Sequence, residues 1–196
     1  MKIVVYTSNI DGFDKPLATP NVVQLNNKID FIDPRKENRK YKILSHLYFD
    51  CDVSIYMDAN IELIDTPQQI VEKHLGNADI AVHEHPHRQC IYAEAHAVVS
   101  LQKEDQAIID QQISFYKSQG YPANNRLFEC GFIIRRHNHK TEAFNEAWFA
   151  QVCRFSKRDQ LSFPYVLSLS PTLSVRYIPG NIRNQTFINF NKHQIR

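Results

Sequence analysis

Glycine is scarce in this chain, which has 5 glycines among 196 residues. None of them lies in a Gly-x-x-x-x-Gly-Lys-Ser/Thr, Gly-x-Gly-x-x-Gly or Gly-x-Ser-x-Gly pattern. Those patterns supply backbone cradles for phosphates or the sharp turn that carries a serine nucleophile. Their absence argues against P-loop enzymes, Rossmann dinucleotide enzymes and α/β-hydrolases.

Long apolar runs are also missing. No stretch of about 18 apolar residues occurs, so we expect no transmembrane segment. The opening residues Met1 to Tyr6 are too short and too soon polar for a secretory signal, and they predict a first strand. The four cysteines (Cys51, Cys90, Cys130 and Cys153) form no Cys-x-x-Cys pair, which is typical of reduced thiols in a cytoplasmic protein.

Excess charge of one sign is lacking as well. Lysine and arginine total 23 and aspartate and glutamate 21, which gives a net charge of +2. This balance argues against a dedicated DNA or membrane-surface binder, and aromatic residues are not interleaved with basic ones as in RNA-binding sheets. Hydrophobic residues make up 43% of the chain, which predicts one globular domain over residues 1–196.

Short β-branched runs alternate with helical patterns, which predicts an α/β domain with a mixed, mostly parallel sheet flanked by helices. Predicted strands cover residues 3–6, 22–25, 53–57, 80–82 and 132–134, with a weaker one at 174–178. A helix is expected from Pro34 to about Tyr48 and another from Pro67 to Gly76. Further helical stripes cover residues 109–120 and 144–155.

The most informative motif follows the strand at 53–57, where Asp58-Ala59-Asn60 supplies two oxygen-bearing side chains. Ligands of open α/β sheets bind beyond the carboxyl ends of strands, and Mg²⁺ or Mn²⁺ prefers oxygen ligands together with substrate phosphates. Asp58 and Asn60 are therefore candidate metal ligands. The alternative is a strand-end Asx turn in which Asp58 caps the local backbone.

A basic face precedes this motif. Arg35, Arg39, Lys42 and His46 recur at helical spacing on the helix that begins at Pro34. Together they could hold a diphosphate whose metal the acidic motif binds. The alternative is an ordinary solvated helix face.

Alternating histidines mark the end of the strand at 80–82. His83, His85 and His87 would share a face if extended, which allows a zinc or copper site, but Pro86 interrupts the extension. The favoured interpretation is a polar pocket in which these side chains donate to substrate hydroxyls or to phosphate.

Two further acidic residues are candidates for the reaction centre. Asp159 opens a predicted helix, so its carboxylate either caps that helix or points at a sugar. Glu129 precedes Gly131, which would allow close backbone approach, so this segment is either a site wall or a bulge.

These motifs together resemble the GT-A glycosyltransferases, including glycogenin-like enzymes. The closer resemblance is to a family first described as a domain of unknown function, which includes plant mucilage glycosyltransferase-like and alkaline-ceramidase-like proteins. The stretches Arg39-Lys40-Tyr41-Lys42-Ile43-Leu44-Ser45-His46-Leu47 and Ser54-Ile55-Tyr56-Met57-Asp58-Ala59-Asn60 carry the GT-A resemblance. The blocks that match the closer family are His85-Pro86-His87-Arg88-Gln89-Cys90-Ile91-Tyr92, Glu94-Ala95, Gly120-Tyr121-Pro122, Arg135-Arg136-His137-Asn138, Phe144-Asn145-Glu146-Ala147-Trp148 and Arg158-Asp159-Gln160-Leu161-Ser162-Phe163-Pro164-Tyr165. Together they span roughly residues 35–167.

The resemblance implies a GT-A fold and a nucleotide-sugar donor, expected to be a UDP-sugar, with Mn²⁺ or Mg²⁺ and a glycan or other hydroxyl acceptor. Asp58 and Asn60 match the metal-and-diphosphate motif, although Asn60 stands where many members have Asp. Tyr6 and Thr7 match the position that meets the nucleotide, and Lys42 the basic residue beside the donor. Asp159 matches a carboxylate near the reaction centre, and His193 is a candidate C-terminal histidine ligand.

Three functions follow from this reading. The first is a glycosyltransferase for surface polysaccharide, with Arg39, Lys42 and His85 at the donor and Asp159 or Glu84 at the acceptor or the cationic sugar. The second is a metal-assisted hydrolase that uses the same cleft. The third is a non-catalytic module that binds a nucleotide sugar or glycan, which the neutral Asn60 makes credible.

Overall fold

A six-stranded sheet forms the centre of the protein, in a computed structural model that describes residues 1–14 and 21–192. Five strands run in one direction and the sixth, between two of them, runs in the other. The prediction of a mixed, mostly parallel sheet is therefore confirmed. The strands, in the sheet order β2-β1-β3-β6-β5-β7, are β1 (Ile3–Thr7), β2 (Val22–Gln24), β3 (Val53–Met57), β5 (Ile80–Glu84), β6 (Phe128–Arg136) and β7 (Val175–Ile178), and a separate pair joins β4 (Ile61–Leu63) to β8 (Ile188–Phe190).

Helices cover both faces of the sheet. They are α1 (Pro34–Ile43), α2 (Pro67–Ile70, continued by a π-helical turn at Val71–Leu75), α3 (Ile91–Ser100), α4 (Gln106–Ser118), α5 (His139–Arg154) and α6 (Asp159–Ser168). Neighbouring strand residues enter different cores, since successive side chains of a strand point to opposite faces. Tyr56 packs with α1 and α3–α6, whereas Ile55 packs with α2 and the β4–β8 pair.

Two helices differ from the sequence-based expectation. α1 ends at Ile43 rather than near Tyr48, and the buried guanidinium of Arg135 donates to the carbonyl oxygens of Lys42 and Ile43 in place of the N–H groups of a further helical turn. A cation at these last carbonyls also complements the helix dipole. α3 was not predicted, since its N-cap Cys90 offers no capping side chain to mark its start.

No helix within residues 1–14 and 21–192 is long and apolar enough to cross a membrane. His193, the candidate C-terminal ligand, lies outside the described residues.

Asp79 ties three elements together at the sheet edge where β5 begins. Its carboxylate accepts hydrogen bonds from Lys140 Nζ (2.7 Å), Asn138 Nδ2 (2.9 Å) and the Ser174 backbone N–H (2.9 Å). Burial alone would raise the pKa of Asp79, but these donors outweigh burial and lower it. Asp79 is therefore a buried, ionised carboxylate whose oxygens are hydrogen-bonded, and its role is structural.

We expect Asp79→Ala to lower the free energy of unfolding by about 3 kcal/mol, because it leaves Lys140 and Ser174 without their partner. Chemical denaturation measures this loss. The exposed Asp110→Ala serves as the matched control and should change stability by less than about 0.5 kcal/mol. Equal stability of the two variants would contradict the structural role of Asp79.

Candidate functional site

A cleft of about 680 Å³ opens where β1, β3 and β5 end and where β6 begins. Because β6 runs against its neighbours, its amino end meets their carboxyl ends at the same sheet edge. Charged side chains from widely separated parts of the chain line the cleft; they include Arg39, Lys42, Asp58, Arg88, Glu129, Arg158, Asp159 and Arg183.

Asp58 leaves β3 and enters the cleft in a fixed orientation. The Tyr56 hydroxyl donates to Asp58 Oδ1 at 2.8 Å, and the Asp58 backbone N–H donates to the Gly131 carbonyl at 2.8 Å. Burial, followed by the Asp58 charge, raises the pKa of Tyr56 well above its ordinary value, so the hydroxyl keeps its proton. Tyr56 therefore holds Asp58 Oδ1, while Asp58 Oδ2 packs against the backbone of Gly131.

Asp159 forms a buried ion cluster with α1. Its carboxylate lies 2.6 Å from Lys42 Nζ and 3.1 Å from Arg39 Nε. Burial would raise the pKa of Asp159, but Arg39 and Lys42 outweigh burial and lower it to about 2. The cleft thus contains a carboxylate that stays ionised at neutral pH and two cations held beside it.

Buried polar side chains of the central sheet position the end of α1. Arg135 is 1% exposed, and it donates to Ile43 O (2.8 Å), to Asn145 Oδ1 (3.1 Å) and to the hydroxyl of Tyr6. The Tyr6 hydroxyl in turn donates to Lys42 O at 2.7 Å. The backbone of Lys42 is therefore anchored to β1 and β6, which directs its side chain to Asp159.

A second polar group lies where β5 ends. His85 Nδ1 accepts the backbone N–H of His87 (3.2 Å) and of Arg88 (3.0 Å), and Arg88 forms an ion pair with the buried carboxylate of Glu94. Burial, and then the Arg88 charge, lowers the pKa of His85 to about 4. His85 is thus a neutral imidazole on the cleft wall at pH 7.

Glu129 supplies a carboxylate between these two groups. Its Oε1 lies 2.6 Å from Arg183 Nη1, whereas its buried Oε2 has no hydrogen-bond partner among the described residues. The side chain is 6% exposed. Glu129 therefore forms part of the cleft wall, which is one of the two alternatives that the sequence predicted.

The sequence profile of the family "TOD1/MUCI70, glycosyltransferase-like domain" matches residues 6–190. The chain belongs to this family. It is 33% identical to the "Probable hexosyltransferase MUCI70" of Arabidopsis thaliana over 168 residues, which cover 80% of this chain and 29% of that protein. It is 22% identical to the "Alkaline ceramidase TOD1" of the same plant over 179 residues, which cover 85% of this chain and 38% of that protein.

The TOD1/MUCI70 chain described here therefore spans about a third of the length of these two curated relatives. The apo structure of the WbbM bifunctional glycosyltransferase superposes on it with a TM-score of 0.52 at 12% sequence identity, covering 91% of this chain and 39% of that one. This likeness shows the fold, which is that of the GT-A glycosyltransferases as the sequence predicted.

Seven of the candidate residues of this TOD1/MUCI70 chain lie together in the cleft: Arg35, Arg39, Lys42, Asp58, His85, Glu129 and Asp159. His46, the fourth residue of the predicted basic face, does not line it. Tyr6 and Thr7 are buried and do not line the cleft, whereas the residues after β1 that line it are Ser8, Asn9, Ile10, Asp11, Phe13 and Asp14. Asn60 is buried outside the lining, and its Nδ2 donates to Asn191 O at 2.7 Å. The Asn60 Oδ1 atom has no hydrogen-bond partner among the described residues.

Two interpretations of the histidine segment need correction. Glu84 is exposed, forms an ion pair with Arg126 and does not line the cleft. Its position does not support the predicted catalytic role. The three-histidine metal site is wrong, because no group of three His, Cys, Asp or Glu residues in the described part of the chain could hold a metal ion. Of the three histidines expected in a polar pocket, only His85 lines the cleft, and His83 is buried against Phe187.

Sequence reasoning missed three contributors to the site. Arg135 could have been suspected, since a charged residue inside an apolar strand needs buried partners. Arg88 and its partner Glu94 are six residues apart, but their spacing does not mark them as an ion pair. Arg183 and its partner Glu129 are 54 residues apart, and only the fold brings them together.

Gly131 offers a test of how tightly Asp58 is positioned. A Cβ at residue 131 would lie 2.9 Å from Asp58 Oδ2, which is closer than real contacts allow. We expect Gly131→Ala to displace the Asp58 carboxylate and to lower turnover of a substrate bound in the cleft about tenfold or more. Thermal unfolding of the variant should stay close to that of the parent. Unchanged turnover would show that Asp58 need not occupy this position.

Proposed function

We propose that this chain is a hexosyltransferase domain that moves a sugar from a nucleoside diphosphate donor, expected to be a UDP-sugar, to a hydroxyl of a glycan acceptor in surface polysaccharide synthesis. The observation that carries the proposal is the meeting of Asp58 with the Arg39–Lys42–Asp159 cluster in one cleft at the strand ends. Family membership and the relative named a probable hexosyltransferase support it.

The oxygen ligands that Mg²⁺ or Mn²⁺ prefers are available beside β3. Asp58 presents a carboxylate in the cleft, whereas Asn60 is buried outside the cleft lining. One carboxylate fits a cation that takes most of its ligands from water and substrate phosphates. Asp58 would hold the metal, and the metal would supply charge neutralisation at the diphosphate.

Residues of the cleft can stabilise the charges that develop when the bond between sugar and phosphate breaks. Negative charge grows on the diphosphate, and positive character grows on the anomeric carbon. The Arg39 and Lys42 cations stabilise the first, and the ionised Asp159 carboxylate stabilises the second. Such preorganised charges in a cleft are commonly the largest contribution to catalysis.

Incubation with a panel of nucleotide sugars, with and without Mn²⁺ and with and without hydroxyl acceptors, tests this proposal. Acceptor-dependent release of nucleotide is the expected result. Release that needs no acceptor would identify a hydrolase instead. Binding without release would identify a non-catalytic module, and no binding of any nucleotide sugar would overturn the assignment.

A further inference from the structure

Two hydrogen-bond donors lie side by side on the cleft wall beyond β5. Because His85 Nδ1 accepts two backbone N–H groups, and because a neutral imidazole has a single N–H, the proton of His85 is on Nε2. The Nε2 atom lies 3.2 Å from Arg88 Nη2, which also can only donate. Neither group can satisfy the other, so both are available to donate to a ligand in the cleft.

An ion pair with Glu94 fixes the orientation of the Arg88 guanidinium. Its Nε contacts the carboxylate of Glu94, which belongs to α3 and is 4% exposed. With Nε occupied, the outer nitrogen Nη2 is the part of the fork that lies beside His85. A rigid arginine next to a second donor is the arrangement that recognises two oxygens of one carboxylate, sulfate or phosphate.

The surrounding charge also favours an anion. Lys103 and Arg158 line the same cleft, and the buried Nε of Arg158 has no hydrogen-bond partner among the described residues. Burial lowers the pKa of Lys103, and the charges of Arg158 and Arg88 lower it further. Arg88 is balanced by Glu94, so Lys103 and Arg158 leave this end of the cleft positive.

The sheet order separates this donor pair from the expected diphosphate position. Asp58 follows β3 and Lys42 is anchored to β1, whereas His85 follows β5, on the far side of β6. Neighbouring strands are about 4.8 Å apart, which places the ends of β3 and β5 roughly 10 Å from each other. The pair therefore lies at the end of the cleft opposite to that of β1 and α1.

We propose that His85 and Arg88 form an anion subsite that binds a negatively charged group on the sugar acceptor. The inference rests on the proposed function, which gives the nucleotide the β1 and α1 end of the cleft. It adds the acceptor's chemical class: a glycan that carries a carboxylate, sulfate or phosphate. Glu94 acts as a positioning residue because it orients Arg88.

Ligand-observed NMR on the intact chain tests the subsite with glucuronic acid, glucose 6-sulfate, glucose 6-phosphate and glucose as probes. The double variant Arg88→Gln/Glu94→Gln removes the guanidinium without leaving a buried carboxylate unpaired. His85→Asn retains an acceptor for the two backbone N–H groups and removes the Nε2 donor. Lys2→Gln/Asp50→Asn is the matched control, since it neutralises an exposed ion pair outside the cleft lining.

We expect at least one anionic sugar to bind more tightly than glucose, with an affinity that falls as salt rises. Affinity for that sugar should fall about tenfold or more in the double variant and in His85→Asn, and stay constant in the control. Equal binding of glucose, or full anion binding by both variants, would overturn the subsite. A UDP titration separates the two proposals. Loss of UDP affinity in these variants would assign His85 and Arg88 to the diphosphate instead. Absence of UDP binding to the parent chain would count against the proposed function alone.

Discussion

Asp58→Ala is expected to lower nucleotide release from a sugar donor by at least about a hundredfold, which is the usual effect of removing one preorganised electrostatic contact from an active site. The carboxylate occupies the cleft at the end of β3, and it is oriented by Tyr56 and confined by Gly131. Alanine removes the negative group that would hold a divalent cation at the diphosphate. Initial rates of nucleotide release at saturating donor measure this loss.

The fold should survive the same change. Asp58→Ala leaves the Tyr56 hydroxyl without its acceptor, which costs about 1 kcal/mol, and removes no apolar packing. The matched control is Asp50→Ala, which deletes an exposed carboxylate on the segment before β3 and should retain full release. Full activity of Asp58→Ala together with normal unfolding would remove Asp58 from the proposed reaction.

Asp159→Asn is expected to affect both activity and stability. The neutral amide cannot stabilise positive character on the sugar, so we expect turnover to fall about a hundredfold. It also leaves Lys42 and Arg39 beside an uncharged partner, and the loss of a buried ion partner costs several kcal/mol at most positions. Retained turnover in a stable Asp159→Asn protein would assign the cluster to the scaffold alone.

The stability effect of Asp159 should depend on pH in a defined direction. Its folded pKa is about 2, below the ordinary value of about 3.9, so the ionised form stabilises the native state above about pH 4. The shift corresponds to roughly 2 kcal/mol, which is lost as the pH falls through 4 towards 2. The difference in unfolding free energy between the parent and Asp159→Asn should therefore shrink over that range. A difference that stays constant from pH 5 to pH 2 would contradict the ion cluster.

The strands were predictable because their signals are local. The runs at 3–6, 53–57 and 80–82 appear as β1, β3 and β5 with shifts of at most two residues, and Asp58 lies at the strand end where the pattern placed it. By contrast, β4 and β8 have three residues each, which is too short for an alternating pattern to stand out. Their pairing joins segments more than 120 residues apart.

The partners within the site were less predictable because they depend on tertiary contacts. Asp159 follows a local pattern typical of a helix N-terminus, and its role is decided by Lys42 and Arg39 from the other half of the chain. Likewise, the sequence does not decide whether the Glu129 segment is a site wall or a bulge, because it does not reveal that β6 runs antiparallel to its neighbours. That direction alone brings the start of β6 to the cleft.

The hydrogen bonds between Asn60 and Asn191 have a consequence for synthesis on the ribosome. The Asn60 side chain donates to the Asn191 carbonyl, and the Asn60 backbone carbonyl accepts the Asn191 N–H. The loop after Asp58 is therefore held by a segment translated some 130 residues later. Until Asn191 has left the ribosome, the loop after Asp58 lacks both of these hydrogen bonds. Ligand affinity should therefore appear late in translation.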